Sequence, residues 1–268
     1  MHQSESTSSL DHGDLDRVVE LLDEVSDPVD DLPMPERKRR FAAGLAQLVD
    51  ADVYIWSTTV INHEIPGDFM TTCVIDGGWQ SPEEQGRVYE VLTSVDFGRD
   101  GLTGAYRLML SGQRATLGTG EVFPPQHEER LLGIWRATGF DSFLLCTHPL
   151  DHNFSSNLGL HRRLGRPAFD KREKQLVHAV YHGVTWLHNY GANEAVRATT
   201  LLLSPRERQT LVFVLAGHSH KSIAERMQIS LHTVNDYVKQ LHKHFSVTSR
   251  AELQANFFLG IPAPTDRD

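Results

Sequence analysis

The chain has few cysteines and no long apolar run, and these absences exclude several classes of protein. Cys73 and Cys146 are the only cysteines among 268 residues, too few for a framework of several disulfides. Both lie in apolar, strand-like runs, which favours buried free thiols in a reducing compartment. No apolar run approaches the roughly 18 residues of a membrane helix. The polar, acidic N-terminus lacks the basic flank and apolar core of a secretory signal, so we predict a cytoplasmic protein.

Sequence patterns of catalysis and of cofactor binding are also missing. There is no GxxxxGK[ST] loop, which excludes a P-loop ATPase domain. We find no nucleophile–base–orienter set and no Cys–His pairing typical of haem or iron–sulfur attachment. His178 and His182 have a zinc-compatible i, i+4 spacing, but no third ligand is evident nearby, so we predict a surface or linker-facing pair. The prediction is therefore no enzyme, no cofactor and no metal.

Charge is unevenly distributed between two parts of the chain. The formal net charge is −9. Residues 199–259 carry seven Lys or Arg and four acids, a surplus of +3, whereas residues 1–198 carry −11. This asymmetry predicts two domains with different partners. The basic surplus permits binding of nucleic acid but does not demonstrate it.

The hydrophobic pattern predicts an α+β domain over residues 14–190, flanked by a disordered tail at 1–13 and a linker at 191–203. Helical spacing alternates with strand-like runs, which indicates helices packed on an antiparallel sheet. Asp170 and Glu173 form a capping box that opens a long exit helix, Phe169–Tyr190. The other predicted helices are Asp14–Val25, Glu36–Ala51, Ser81–Val95 and Pro124–Gly139, and the predicted strands are Asp52–Ile61, Phe69–Ile75, Ser142–Leu150 and Ser156–Arg163.

Charged and aromatic groups in this half have structural interpretations that we prefer to functional ones. The basic run Arg37–Arg40 follows an acidic connector, so we predict a solvated helix face paired with acids rather than a nucleic-acid patch. His161–Arg162–Arg163 could serve an anionic ligand, but we predict a charged outer edge. The four tryptophans are predicted to be core anchors.

The last part of the chain has the pattern of a helix-turn-helix unit at 204–259, with a tail at 260–268. Ser204 and Glu207 form a capping box with Pro205 at the first helical position. Ser219 and Ser230 cap two further helices that are separated by a three-residue turn. The helix after Ser230 is amphipathic, with a compact polar stripe opposite its apolar face. The polar stripe comprises His232, Asn235, Asp236, Lys239 and Lys243, and the apolar face comprises Val234, Val238, Leu241 and Phe245.

These residues closely resemble the LuxR-type (GerE-like) DNA-binding domain over about 55 residues in one register without a gap. The resemblance implies a four-helix domain that binds double-stranded DNA as a homodimer, with the third helix, Leu231–Phe245, in the major groove. The residues that carry the resemblance are Leu203–Ser204–Pro205–Arg206–Glu207, Gly217, Lys221, Ile223–Ala224, Ile229–Ser230, Thr233–Val234, Val247 and Ser249–Arg250–Ala251–Glu252–Leu253.

The resemblance also assigns candidate DNA contacts. Asn235, Asp236 and Lys239 match the family's base-facing positions, and Thr233 matches a phosphate-contacting position. Lys221, Lys243, Arg250 and Tyr237 are further candidate phosphate contacts. The chemistry agrees, since Asn can pair with adenine, Asp can accept from the cytosine amino group, and Lys can reach guanine or a phosphate.

Two of these residues, Asp236 and Tyr237, have alternative roles. Asp236 departs from the apolar or basic residue that the resemblance leads us to expect. It either reads a base or faces solvent, paired with Lys239 or Lys243. Tyr237 either donates to a phosphate or packs as a core ring.

The input domain resembles a GAF- or PAS-like sensor. The order of its elements suits GAF better, and Leu158–Val180 is similar to the end of a GAF domain. The paired acids of a phosphorylation receiver are absent. An acyl-homoserine-lactone-binding domain fits on length, but its pocket pattern does not align cleanly on Val53–Trp56.

The predicted function is transcription regulation, with a sensor or dimerisation domain joined to a DNA-binding domain. A small-molecule signal and RNA polymerase are candidate partners, and no membrane is expected. The alternatives are an acyl-homoserine-lactone-type quorum-sensing regulator and a protein-interaction module that does not bind DNA.

Overall fold

The computed structural model describes residues 12–26, 32–61, 69–93, 103–123, 125–150, 154–188, 203–215 and 219–253. Two helices precede the first strand. α1 spans His12–Ser26 and α2 spans Met34–Leu48. Phe41, Ala42 and Leu45 of α2 are fully buried beside Leu21 and Val25 of α1. Both helices thus present one apolar stripe to the core.

A five-stranded antiparallel sheet forms the centre of the N-terminal part, in the order β2-β1-β5-β4-β3. The third strand in this order, β5, is therefore flanked by strands on both sides. The strands are β1 Val53–Ile61, β2 Phe69–Gly77, β3 Ala115–Gly118, β4 Phe140–Pro149 and β5 Phe154–Arg163.

Helices cover both faces of this sheet. Along β1, Tyr54 and Trp56 pack with α1, α2 and the helices that follow β5, whereas Val53 and Ile55 pack with the helices between β2 and β4. This alternation is the two-residue period of a strand buried on both sides. The intervening helices are α3 Pro82–Thr93, α4 Thr103–Ser111, α5 Thr119–Val122 and α6 Glu128–Ala137, and those after β5 are α7 Lys171–Gly183 and α8 Thr185–His188.

The C-terminal part is helical, which together with the sheet confirms the predicted α+β class. α9 spans Pro205–Leu215, α10 spans His220–Met227 and α11 spans Leu231–His244. Residues 250–253 are helical as well, so the start of the predicted fourth helix is present and the rest of it lies outside the described residues. An apolar cluster joins these helices, and it also contains Phe154 from the start of β5.

Several sequence predictions need correction. The short strand β3 and helix α5 were not predicted, because four-residue elements give no measurable periodicity. The nine-residue helix α4 was also missed. The exit helix is broken at Val184, which separates α7 from α8. Helix α1 begins at His12, inside the predicted tail. The tail at 260–268, most of the linker at 191–203 and the Cys73 side chain lie outside the described residues, whereas Cys146 is a buried free thiol.

The basic run Arg37–Arg40 is only partly the solvated face paired with acids that the sequence predicted. Arg39 and Arg40 do pair with Glu36, but the other two residues do not face solvent in this way, and His161–Arg162–Arg163 is not a charged outer edge. Lys38 is only 1% exposed, with Nζ 4.3 Å from the centroid of the Trp56 ring. Arg37 donates to the carbonyl of Val25 at 2.9 Å. His161 and Arg162 are buried in β5. Because sheet order depends on long-range pairing, the sequence pattern alone does not reveal that this strand is flanked on both sides.

The buried guanidinium of Arg162 joins three parts of the N-terminal domain. It donates to the carbonyls of Asp50 at 3.2 Å and Pro167 at 3.0 Å. It pairs with the Glu173 carboxylate at 2.6 Å and lies 4.0 Å from the centroid of the Phe169 ring. The end of α2, the turn after β5 and the start of α7 therefore meet at one side chain. Among the described residues, no helix is long and apolar enough to cross a membrane.

Arg162→Met is expected to destabilise the N-terminal domain by about 3–5 kcal/mol, because it leaves the Glu173 carboxylate and several carbonyls without their donor. Urea unfolding measured by tryptophan fluorescence gives the free energy of unfolding. Arg136→Met is the matched control, since the side chain of Arg136 is 55% exposed in its pair with Asp141 and should contribute about 1 kcal/mol or less. Equal losses in the two variants would contradict the role of Arg162.

Candidate nucleic-acid interface

Local capping sets the geometry of the two helices α10 and α11. The Ser219 hydroxyl accepts from the Ser222 amide at 3.2 Å and begins α10. Gln228 adopts a left-handed conformation with φ 54° and ends this helix. The Ser230 hydroxyl accepts from the Thr233 amide at 3.0 Å and begins α11. The short turn between the caps forms the helix-turn-helix that the serine spacing predicted.

Helix α11 is divided into a buried and an exposed face. Val234, Val238 and Leu241 are buried in the apolar cluster, which Phe245 extends. Asn235 and Asp236 are half-buried on the other face, and Lys239 and Lys243 are exposed. The buried residues fix the rotation of the helix, so the polar residues must lie on its outward face.

Two of the three candidate base-facing residues lie close to a histidine, one of them within hydrogen-bonding distance. Nδ1 of His220 lies 2.7 Å from Oδ1 of Asn235. Nε2 of His232 lies 3.6 Å from Oδ2 of Asp236. The structure thus places Asp236 beside a histidine on its own helix, and not beside the lysines that the sequence suggested. The role of His220 was missed because it depends on a contact between two helices.

The candidate phosphate-contacting residues lie in different environments. Lys221 is exposed, and Thr233 is half-buried with Oγ1 2.8 Å from the Ser230 hydroxyl. Tyr237 is half-buried and lies outside the apolar cluster. Arg250 donates to the carbonyl of Val214 at 2.6 Å, so part of its guanidinium joins the start of the last helix to α9.

Comparison with protein families decides the nature of this part. A sequence model described as "GerE: Bacterial regulatory proteins, luxR family" matches residues 201–255. These residues form a LuxR-family helix-turn-helix domain. The match confirms the resemblance inferred from the capping serines and from the residues around Thr233 and Arg250.

Three solved structures are similar to a larger part of the chain. One is SdiA in complex with octanoyl-rac-glycerol, with 18% identity, coverage of 92% of this chain and 95% of that chain, and a TM-score of 0.47. Escherichia coli SdiA in another structure gives 18% identity, 89% and 94% coverage, and a TM-score of 0.42. The VqsR LBD domain from Pseudomonas aeruginosa gives 14% identity, 66% and 91% coverage, and a TM-score of 0.41. These similarities are too distant to assign a ligand to this chain, and the comparison with curated proteins gives no match.

The part that precedes the LuxR-family domain contains a chain of buried hydrogen bonds. Trp56 Nε1 donates to the Ser156 hydroxyl at 2.7 Å, and Tyr181 Oη lies 3.1 Å from the same oxygen. Nδ1 of His188 is 3.0 Å from Ser156 Oγ, and its Nε2 is 2.7 Å from the Tyr181 carbonyl. The carbonyl requires a hydrogen on Nε2, so Nδ1 of the neutral ring accepts from Ser156. Burial, followed by the charge of His148, lowers the pKa of His188 to about 2, which keeps this arrangement neutral.

Two further buried histidines, His148 and His182, correct the prediction of a surface or linker-facing pair at His178 and His182. His178 is exposed, but His182 is buried and its Nδ1 lies 3.2 Å from Nδ1 of His148. Burial is the main cause that lowers the pKa of both His148 and His182 to about 4. Within the described ranges, no group of three or more His, Cys, Asp or Glu residues is arranged to hold a metal ion.

The opposite face of the sheet contains a third buried imidazole. His161 lies 5.2 Å from Trp135 and 5.8 Å from Phe143 between ring centroids, and its Nδ1 has no hydrogen-bond partner among the described residues. Burial lowers its pKa to about 3. Ser142 pairs with Arg162 and so lies on the other face of the sheet; its hydroxyl is also buried without such a partner. Ser142 lines an open cleft of about 380 Å³ beside α5 and α6.

Acidification is expected to destabilise the N-terminal domain through His161. Its folded pKa of about 3 lies below the value of about 6.5 for an unfolded histidine. Below about pH 6.5 the unfolded chain therefore binds a proton that the folded chain does not. The free energy of unfolding should fall by about 1.4 kcal/mol per pH unit from this residue alone. Urea unfolding at several pH values between 7.5 and 5 measures the slope.

The variant His161→Phe keeps an aromatic ring beside Trp135 but removes the titrating group, so it should give a shallower slope. His232→Gln is the control, because the side chain of His232 is 86% exposed. If the slope in His161→Phe equals that of the wild type, then His161 does not contribute to the pH dependence of the free energy of unfolding.

Proposed function

We propose that the chain is a transcription regulator in which α11 enters the major groove of double-stranded DNA. The observation that carries this proposal is the outward face of α11, which presents Asn235, Asp236 and Lys239 within the LuxR-family domain. An amide, a carboxylate and an ammonium group together supply the donors and acceptors needed to distinguish base pairs. Asn235, Asp236 and Lys239 are the proposed base-facing residues.

The proposed phosphate contacts surround this face. Lys221 near the start of α10 and Lys243 in the last turn of α11 are both exposed, so their ammonium groups can approach the DNA backbone without leaving a protein partner. Thr233, Tyr237 and Arg250 are further proposed contacts, although Arg250 already donates to Val214. The amides in the first turn of α11 also favour an approaching phosphate.

The N-terminal α+β domain is proposed as a sensor or dimerisation input. Support for a sensing role comes from the cleft beside α5 and α6, which Ser142 lines. A ligand that binds better to one conformation than to another would shift the population between them.

We further propose that the acidic input domain restrains the DNA-binding domain until a signal is present. Residues 1–198 carry −11 against +3 for residues 199–259, so the two parts attract each other. Phe154, at the start of β5, is 3% exposed and belongs to the apolar cluster of the C-terminal helices. The end of the β4–β5 pair is therefore a proposed route of coupling between the domains.

Removal of individual side chains tests the DNA-binding face. Fluorescence anisotropy with duplexes selected from a random library gives the dissociation constant across a salt series. Asn235→Ala is expected to lower base discrimination by about 1–3 kcal/mol at one base pair. Lys239→Ala is expected either to do the same at a neighbouring pair or, if it contacts a phosphate, to reduce the salt slope by about 0.9.

Lys171→Ala is the matched control, because Lys171 is an exposed lysine at the start of α7 in the acidic part of the chain. It should leave both discrimination and the salt slope unchanged. Absence of binding by the wild-type chain at low salt, with and without candidate ligands, would mean that the polar face of α11 is only a solvated surface.

Phe154→Ala tests the proposed restraint in the same titration. Loss of the ring from the apolar cluster should loosen the contact between the two parts and raise the affinity of the full-length chain for DNA. Leu164→Ala is the control, since Leu164 is 51% exposed and should leave the affinity unchanged. An affinity in Phe154→Ala equal to or below that of the wild type would contradict a restraint acting through this contact.

A further inference from the structure

The polar face of α11 is completed by a residue from the preceding helix. His220 is the first residue of α10, and its Nδ1 lies 2.7 Å from Oδ1 of Asn235 on α11. An amide oxygen carries no hydrogen, so Nδ1–H of the imidazole must donate. The contact therefore fixes the hydrogen of His220 on Nδ1 and directs Nδ2 of Asn235 away from the imidazole.

The direction of the Asn235 amide matters because its two ends have opposite hydrogen-bonding properties. Recognition of adenine in the major groove requires the amide to donate to N7 and to accept from N6. A half-turn of the terminal torsion exchanges donor and acceptor, and this torsion is broad and roughly two-fold in asparagine. A partner that holds Oδ1 selects one of the two orientations before DNA is bound.

The bond to His220 leaves enough hydrogen-bonding capacity for a base. Oδ1 keeps a second lone pair, and both hydrogens of Nδ2 remain available. Asn235 is half-buried and His220 is exposed, so the pair lies at the surface that the proposed DNA duplex would cover. Removal of water on binding would strengthen the bond.

We infer that His220 determines specificity by positioning the Asn235 amide, an inference that rests on the proposed function of α11. His220 acts through Asn235 and need not touch a base. The reading surface is then formed by two helices, and the base pair read by Asn235 depends on the identity of residue 220. The alternative role for an exposed histidine at a helix start is a direct contact with a phosphate.

A base-substitution panel separates these roles. The full-length chain is titrated by anisotropy against its selected duplex and against duplexes in which each base pair is replaced in turn. His220→Ala is expected to reduce discrimination about 3- to 10-fold at the base pair where Asn235→Ala also reduces it. Affinity for an unrelated duplex and the salt slope should stay at the wild-type values. The double variant should lose little more than Asn235→Ala alone, because both residues act on one contact.

Two amide replacements test the geometry of the bond. In His220→Asn the side-chain amide donor stands close to the position of imidazole Nδ1, whereas in His220→Gln it stands closer to that of Nε2. His220→Asn should therefore restore discrimination and His220→Gln should not. His232→Asn is the matched control, because His232 lies beside Asp236 and should not change discrimination at the base pair read by Asn235.

The outcomes are distinguishable. If His220→Ala weakens binding to all duplexes equally and lowers the salt slope, His220 contacts a phosphate and the inference is wrong. If it lowers the melting temperature and the affinity for every duplex without changing their ratios, the bond is structural and the inference is again wrong. If the wild-type chain shows no preference among duplexes, the proposed function is wrong, and the inference that rests on it is wrong as well.

Discussion

The guanidinium of Arg162 is the contact on which the arrangement of the N-terminal layers depends. It lies on β5, the middle strand of the sheet, and binds the end of α2, the turn after β5 and the carboxylate that caps α7. A buried cation is costly unless its donors are satisfied, and here each neighbouring segment supplies an acceptor. Because these contacts hold the start of α7 in one position, they also help to determine where His182 and His188 contact the sheet.

The hydrogen bonding of buried polar side chains differs between the two faces of the sheet. On the side of α2 and α7, the Trp56–Ser156–Tyr181–His188 chain satisfies its members within the described structure. On the side of α3 to α6, Nδ1 of His161 is buried and has no hydrogen-bond partner among the described residues. A satisfied network specifies a single packing, whereas a buried polar atom without a partner costs free energy.

Much of the local structure could be predicted from the sequence, because helix capping depends on residues that lie close together along the chain. The boxes Asp170–Glu173 and Ser204–Glu207 both form, with the Glu173 amide 2.7 Å from Asp170 and the Ser204 amide 2.7 Å from Glu207. The burial of His161 and Arg162 could not be predicted, since it depends on which strands flank β5. The break at Val184 was also missed, because the apolar stripe of α7 continues past it in the sequence. The GAF-like assignment and the homodimer remain predictions.

The candidate interface shows the same division between local and long-range information. The capping serines and the two-faced pattern of α11 were visible in the sequence, but the contact of Asn235 with His220 required the fold. If the amide of Asn235 is oriented by a residue on another helix, the preference for a base at one operator position depends on two residues of the protein, 220 and 235. A substitution at either position alone would leave the remaining side chain without its counterpart. If related proteins evolve a preference for another operator base, an intermediate with only one of the two substitutions would have low selectivity. Residues 220 and 235 would therefore be expected to change together.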